Sequence, residues 1–180
     1  VFINGFYPNL KKPVYVAADD RAGGFAACTA LMEKGHRRIA GIFKSDDIQG
    51  HRRYAGYAEA LCRAGLSVED DHVMWYTTEN RDSLLDTCTL SVLSTCTGVV
   101  CYNDEVALCI LEVLGKAGVA VPQQMELVSF DHSTLARLSP TPFLSLSNPK
   151  ETLGRLAAEK LLHILGGRAE QSVLLPWNIE

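Results

Sequence analysis

The chain has 180 residues, and its 47% apolar composition is typical of a globular protein with a sizeable core. Its 17 basic and 21 acidic side chains give a net charge of −4. Because phosphate binding needs a positive surface, this balance argues against a chain that coats nucleic acid by itself, and any DNA-binding element is expected to lie outside this sequence.

Short apolar runs rich in β-branched and aromatic residues alternate with helical patterns along the chain. Four of these runs predict strands, ending at Phe43, Tyr76, Tyr102 and Phe130. Apolar residues at spacings of one, three or four predict three helices, each followed by a glycine at the position of a left-handed cap: Gly35, Gly65 and Gly118. A weaker helical pattern spans Asp82 to Leu93, where threonines and serines dilute the apolar face.

The alternation ends after Phe130, where a segment rich in proline and serine predicts a loop with one short strand around residues 143–147. Lys150 to Leu165 then predicts a helix stopped by two glycines, and "SVLLPWNIE" predicts a strand followed by a tail. The earlier strand and helix pairs recur at intervals of roughly 25 to 35 residues, the size of a βαβ unit. The sequence therefore predicts an α/β fold, with a mostly parallel sheet covered by helices on both faces.

The six cysteines show no C-x-x-C pair, and most lie in apolar runs where a thiol behaves as a small hydrophobic group. We expect reduced thiols and a cytoplasmic protein, with a disulfide framework or a zinc site as the weaker alternative. No run approaches the ~18 apolar residues of a membrane span, and no signal sequence opens the chain. Because "VFING" at Val1 already has the pattern of a strand, the chain is expected to begin inside a larger protein.

Polar residues follow each of the four predicted strands, as "KSDD", "TTEN", "NDE" and "DHS". In an open parallel sheet the carboxyl ends of the strands meet at one edge, where ligands bind. Taken singly, these residues are explained as helix caps and first-turn acids, and Asn103, Asp104 and Glu105 fit that explanation. Together they line a cleft with groups that can take two vicinal hydroxyls at once, so a monosaccharide or similar polyol is the predicted ligand class.

Arg53 lies where a helix is predicted to begin, at a position where the helix dipole disfavours a cation. We therefore expect its guanidinium to point at an anionic or hydroxylated group. The sequence contains no G-x-S-x-G, H-E-x-x-H, G-x-x-x-x-G-K-[ST] or G-x-G-x-x-G motif, so no catalytic residue, metal ligand or cofactor is predicted. Catalysis on a sugar stays open as an alternative, with Asp104 or Asp131 as the base.

Five segments carry a resemblance to a known family. They are "DDRAGGFAACTALMEKGHRRIAGI", "RYAGYAEAL", "CYNDEVAL", "VPQQMELVSFD" and "NPKETLGRLAAEKLL". In order and spacing they resemble the effector-binding domain of the lac and galactose repressor family, which shares the periplasmic sugar-binding protein fold. The resemblance covers almost the whole chain. Four segments are most similar to the arabinose-responsive branch of the family: "GIFKSDDIQGHRRYAGY", "YTTE", "CYNDE" and "NPKETLG".

The resemblance implies two α/β lobes with parallel sheets flanked by helices, and a sugar in the cleft between them. Residues 1–18 and 149–165 would be parts of the N-terminal lobe, and residues 19–144 the C-terminal lobe. Residues 166–180 would form a C-terminal strand and tail. The N-terminal lobe would be incomplete in this chain, and the DNA-binding domain would lie outside it.

The resemblance also implies a set of effector-binding residues. Asn103 corresponds to the asparagine of the family's N-D motif, Asp131 to the first acid of F-D-D, and Arg53 to the arginine of R-x-x-G-[YF]. Asn4 occupies a place where the family often has a cleft aspartate. Lys44 and Glu79 lie in the segments shared with the arabinose-responsive branch and are further candidates, or only solvated loop charges.

Three positions depart from the family pattern. They are His132 for the second acid of F-D-D, Ser129 for the glycine before that phenylalanine, and Asn148 for the glutamine before the last helix. These substitutions bear on effector preference.

The function implied is that of a sugar-sensing domain of a transcriptional repressor, and not of an enzyme. A monosaccharide such as arabinose would close the lobes of a homodimer and release operator DNA, bound through a domain outside this chain. Arg53→Ala and Asp131→Ala are then expected to abolish the sugar response without unfolding the protein. The alternatives are a solute-binding protein of a sugar transporter and an α/β enzyme.

Overall fold

The computed structural model describes residues 1–6, 9–11 and 13–179. The strands are β1 (Phe2–Ile3), β2 (Tyr15–Ala18), β3 (Ile39–Lys44), β4 (Val73–Tyr76), β5 (Gly98–Cys101), β6 (Glu126–Phe130), β7 (Leu144–Ser147), β8 (Val173–Leu175) and β9 (Asn178–Ile179). The α-helices are α1 (Asp20–Glu33), α2 (Ile48–Arg63), α3 (Arg81–Leu93), α4 (Asp104–Lys116), α5 (Thr134–Leu138) and α6 (Lys150–Leu165). A single 3₁₀ turn, Asp70–His72, precedes β4.

These strands form two sheets. The larger has six strands in the order β4-β3-β5-β6-β7-β9, and all its pairs are parallel except β7 with β9. The smaller has three parallel strands in the order β1-β2-β8, and α6 packs against β1 and β2. The chain therefore leaves the small sheet after β2, builds the large one, and returns to the small sheet with α6 and β8.

Helices cover both faces of the large sheet, as predicted. On one face, α3 and α4 pack over the strands through buried residues that include Leu85, Val106, Ile110 and Leu114. On the other face, α1 and α2 pack through residues that include Leu31, Tyr57 and Leu61. Each such side chain stabilises the fold by roughly 1.5–3 kcal/mol, so the two layers fix the sheet that carries the candidate site. The predicted α/β class is confirmed.

Helices α1 and α2 touch through two glycines. A Cβ on Gly24 would lie 2.0 Å from the carbonyl oxygen of Arg53, and one on Gly56 would lie 1.9 Å from the carbonyl oxygen of Arg21. Only glycine allows this approach, because any side chain would overlap the facing backbone. The contact brings the first turn of α1 close to the middle of α2.

The predicted helices and their left-handed glycine caps are confirmed, and the weak pattern after residue 80 forms a full helix. Two expectations were wrong in detail. The proline- and serine-rich segment contains α5 as well as β7, and the C-terminal segment forms two short strands, one in each sheet. The predicted lobe boundaries stay predictions.

All six cysteines are free thiols. Burial raises the pKa of the Cys28 thiol to about 12, which suits a small apolar group in the core. Within residues 1–6, 9–11 and 13–179, no three His, Cys, Asp or Glu side chains form a group suited to a metal ion. In that same part of the chain, no helix combines the length and apolarity that crossing a membrane requires.

Candidate functional site

The polar segments that follow the strands lie at one edge of the large sheet. The parallel register pairs Lys44 with Tyr76, and Ile42 with Cys101, so β3, β4 and β5 end side by side. Strand β6 lies beside β5 in the same direction, with Val128 paired to Val100, so it ends at the same edge. Helices α2, α3, α4 and α5 begin immediately beyond this edge, so their N-termini and the polar side chains that precede them lie close together there.

Arg53 lies at the centre of this edge and is only 2% exposed. Its Nε donates a hydrogen bond to Oδ1 of Asp20 at 2.9 Å, and its Nη1 donates to the carbonyl oxygen of Tyr102. Among the described residues, Nη2 has no protein acceptor. The guanidinium is thus fixed by two of its nitrogens, while the N–H groups of the third stay available as donors.

Three aromatic rings surround this guanidinium. Its central carbon lies 4.3 Å from the ring centre of Phe130, 4.8 Å from that of Tyr102 and 5.0 Å from that of Trp177. Gly23 makes room for the cage, because a Cβ there would lie 2.6 Å from Cδ1 of Trp177. In the described part of the chain the buried indole N–H of Trp177 also lacks an acceptor. The rings hold the cation by cation–π attraction.

Arg53 does not open a helix, contrary to the sequence prediction. Asp47 caps α2, accepting a hydrogen bond from the Gly50 N–H at 2.7 Å, and Arg53 lies in the second turn. Its anionic partner is Asp20, at the start of α1. Burial raises the pKa of Asp20, and the charge of Arg53 partly offsets that effect.

Asn103 caps helix α4. Its backbone is extended, and its Oδ1 accepts a hydrogen bond from the Val106 N–H at 3.0 Å. The predicted cap is confirmed. The amide nitrogen has no protein acceptor in the described part of the chain, so the side chain can cap the helix and bind a ligand together.

Asp131 follows β6 in a left-handed conformation, with φ at 98°, and His132 continues it with φ at 39°. Two consecutive residues of this kind cost roughly 1–3 kcal/mol each, and such strain is typical of functional sites. Burial raises the pKa of Asp131, while the charges of Arg53 and Lys150 oppose that effect. Its carboxylate has no hydrogen-bond donor among the described residues.

The sequence suggested that Asp104 is only an acid in the first turn of a helix, but the structure gives it a larger role. It is 1% exposed, and its Oδ1 accepts hydrogen bonds from the hydroxyls of Ser129 at 2.5 Å and Ser145 at 2.6 Å. Its Oδ2 accepts from the backbone N–H of Ser133 at 2.7 Å. Because both oxygens are occupied, Asp104 is poorly placed to act as a catalytic base.

The remaining candidates lie farther along the edge. Lys44 Nζ is 3.6 Å from carboxylate oxygens of both Asp46 and Asp47, so its charge is already engaged. Glu79 is exposed in the turn before α3. Asn4 is left-handed, with φ at 58°, and its carbonyl accepts a hydrogen bond from Nε2 of Gln49 at 3.0 Å.

Asn4 and the first turn of α2 line a cleft of about 740 Å³. The structure therefore brings Arg53, Asn103 and Asp131 together through Tyr102 and Phe130, and places Asn4 beside the start of α2. Sequence reasoning missed the roles of four residues at this site: Asp20, Tyr102, Phe130 and Trp177. The "DD" at the start of α1 and the aromatic residues that end the predicted strands are local signals for Asp20, Tyr102 and Phe130, whereas no local pattern marks Trp177.

Residues 28–179 match the periplasmic binding protein-like domain family, and the chain belongs to that family. Among curated relatives, the arabinose metabolism transcriptional repressor of Halalkalibacterium halodurans is 33% identical over 166 residues, covering 90% of this chain and 44% of the relative. The protein of the same name from Geobacillus stearothermophilus is 34% identical over 178 residues, covering 96% and 49%.

Solved structures agree with this assignment. A transcriptional regulator CelR–cellobiose complex is 30% identical and superposes with a TM-score of 0.89, covering 98% of this chain and 56% of that one. A regulatory protein of the LacI family from Chloroflexus aggregans gives a TM-score of 0.85 at 26% identity, covering 96% and 63%. The resemblance to lac and galactose repressor effector domains is confirmed, and the chain spans about half the length of its curated relatives.

Proposed function

We propose that this chain is the sugar-sensing domain of a transcriptional repressor and that it binds a monosaccharide such as arabinose at the strand edge of the large sheet. One observation carries the proposal. Arg53, Asn103 and Asp131 meet at that edge, and within the described part of the chain each keeps one group free of protein partners: Nη2, the amide nitrogen and the carboxylate. A neutral polyol needs this mixture of fixed donors and acceptors.

Each residue has a role suited to hydroxyl groups. The Asp131 carboxylate accepts from two vicinal hydroxyls, while Arg53 and Asn103 donate to sugar oxygens. Because Arg53 is held by Asp20 and three aromatic rings, little side-chain entropy is lost when sugar binds. Asn4 lines the cleft beside the start of α2, which the three proposed sugar ligands do not line, and it is a secondary candidate together with Lys44 and Glu79.

The names of the relatives support a pentose. Two curated relatives are arabinose metabolism repressors, whereas the CelR structure is a cellobiose complex. A monosaccharide and a disaccharide differ by a whole ring, so a sugar panel separates them. We expect L-arabinose to raise the melting temperature of the protein more than D-galactose, D-ribose or cellobiose, because a ligand bound only by the folded state stabilises it. A larger shift with cellobiose would overturn the arabinose assignment.

Sugar binding would act by shifting the equilibrium between two arrangements of the lobes. The Gln49–Asn4 hydrogen bond and the stacking of Arg52 on Phe6, at 4.4 Å, join α2 to the segment after β1 in the present arrangement. In a homodimer bound to operator DNA through another domain, a change at this contact would alter the spacing of the two subunits. Operator release measured by fluorescence anisotropy on the full-length protein, with and without sugar, tests this relay.

The comparisons favour a regulator over an enzyme, because the relatives with printed functions are transcription factors. Asp131 is the remaining candidate base, because both oxygens of Asp104 already accept hydrogen bonds. Incubation with L-arabinose should therefore give no product by chromatography. Turnover that Asp131→Asn abolishes would replace the sensor proposal with an enzymatic one.

A further inference from the structure

A network of hydrogen bonds holds the turn that carries Asp131. The Asp131 N–H donates to the carbonyl oxygen of Leu146 at 2.8 Å, and the His132 N–H donates to the hydroxyl of Ser145 at 2.9 Å. The Ser133 N–H donates to Asp104 at 2.7 Å. Three consecutive backbone donors are thus satisfied by two elements: β7, through the Leu146 carbonyl and the Ser145 hydroxyl, and α4, through the Asp104 carboxylate.

Asp104 is where this network converges. Ser129 and Ser145 are paired in register on β6 and β7, and both hydroxyls donate to the same carboxylate oxygen. Ser145 accepts from His132 and donates to Asp104, so the carboxylate orients the hydroxyl that holds the turn. Linked hydrogen bonds of this kind strengthen one another in a buried site.

From this network we infer that Asp104 is a positioning residue: it fixes the left-handed turn at Asp131 and His132 and so orients the Asp131 carboxylate toward the effector. The inference rests on the proposed function for its effect on sugar binding. Its effect on the turn is independent of any ligand. A left-handed pair persists only where its surroundings hold it, and Asp104 supplies or organises two of the three backbone contacts.

Ser129 adds a hydroxyl donor from β6 to the same carboxylate. The carboxylate also suits its three donors, because an ionised carboxylate only accepts. An amide at position 104 would keep one acceptor oxygen and turn an NH₂ group toward the other partners, so Asp104→Asn weakens the network while preserving volume.

The test measures amide hydrogen exchange in the protein without sugar. In Asp104→Asn and in Ser145→Ala we expect protection at His132 and Ser133 to fall at least tenfold, with protection in β5 and α4 retained. Unchanged protection at the turn in both variants would overturn the inference. An equal loss across turn and core would also overturn it, because the role would then be structural only.

A second arm measures affinity for L-arabinose by titration calorimetry. Both variants should bind at least tenfold more weakly than wild type, whereas Leu85→Ala, a destabilised control in α3 away from the turn, should bind normally. An equal loss of affinity in the two variants and in Leu85→Ala would contradict a positioning role for Asp104. If the wild-type protein binds no sugar, the proposed function fails, and the exchange experiment still decides whether Asp104 fixes the turn.

Discussion

Arg53 and Asp20 form an ion pair inside the protein, with Nε and Oδ1 2.9 Å apart and side-chain exposures of 3% and 5%. The pair joins α2 to α1 at the point where Gly24 lets the helices touch. A buried pair of this kind adds little net stability, but removing one partner leaves the other charge without compensation. Arg53 is therefore a structural residue as well as a candidate ligand.

Arg53→Ala should lower the free energy of unfolding by about 3–5 kcal/mol, because it leaves the Asp20 carboxylate buried and unpaired. The sequence alone led us to expect that the substitution spares the fold, whereas the buried ion pair predicts a loss of stability. Urea denaturation measures the loss. Arg63→Ala, on an exposed residue of the same helix, is the matched control and should change stability by less than about 1 kcal/mol. Equal effects in the two variants would refute the buried-pair explanation.

The helix contact itself can be tested at glycine. Gly24→Ala should destabilise the protein by at least about 2 kcal/mol, since the new Cβ would overlap the Arg53 carbonyl oxygen. Gly154→Ala, in α6 with nothing within 4 Å of the new Cβ, should instead stabilise it by about 0.5–1 kcal/mol. Thermal denaturation of both variants compares them directly. A neutral Gly24→Ala would mean that the helices are farther apart than described.

Asn103 has two roles that substitution can separate. Asn103→Ser keeps an oxygen that caps α4, so stability should change by no more than about 0.5 kcal/mol, while loss of the amide nitrogen should weaken sugar binding about tenfold. Asn103→Ala should lose the cap as well, at about 1 kcal/mol. Thermal denaturation and calorimetry report the two effects. Full sugar affinity in Asn103→Ser would leave Asn103 as a cap alone.

Sugar affinity should depend on pH through Asp131. Burial raises the pKa of this carboxyl above its ordinary value of 3.8, and only the ionised form accepts from two hydroxyls. Affinity should therefore be highest at pH values well above the raised pKa and fall as the pH drops through it.

Asp131→Asn supplies the control for this pH dependence. The ratio of wild-type to variant affinity should fall toward one as the pH is lowered, because protonated Asp131 no longer accepts from two hydroxyls. Changes in affinity caused by protonation of the buried Asp20 occur in both proteins and cancel in the ratio. A ratio independent of pH would show that ionised Asp131 does not bind the sugar.

Much of the fold could be predicted from local patterns. The apolar periodicity located the strands before Asn103 and Asp131, the glycine caps marked the ends of three helices, and the order of strands and helices placed the polar residues on one edge. The short helix α5 was missed because proline and serine around it mask its apolar positions.

The surroundings of Arg53 could not be predicted in this way. Asp20 and Trp177 lie far from Arg53 along the chain, and only the packing of α1, α2 and the C-terminal segment brings them together. The role of Asp104 depends in the same way on serines from two neighbouring strands. Periodicity describes one element at a time, whereas these contacts arise between elements.

Titration calorimetry on wild-type protein and Asp131→Asn, using the monosaccharide that stabilises the wild-type protein most, tests the sugar site directly. Asparagine tolerates the left-handed backbone at this position, so the variant should melt at the wild-type temperature. We expect saturable binding to the wild-type protein and at least tenfold weaker binding to Asp131→Asn. The same affinity in both proteins, or no binding of any monosaccharide to the wild-type protein, would contradict a sugar site at the strand edge.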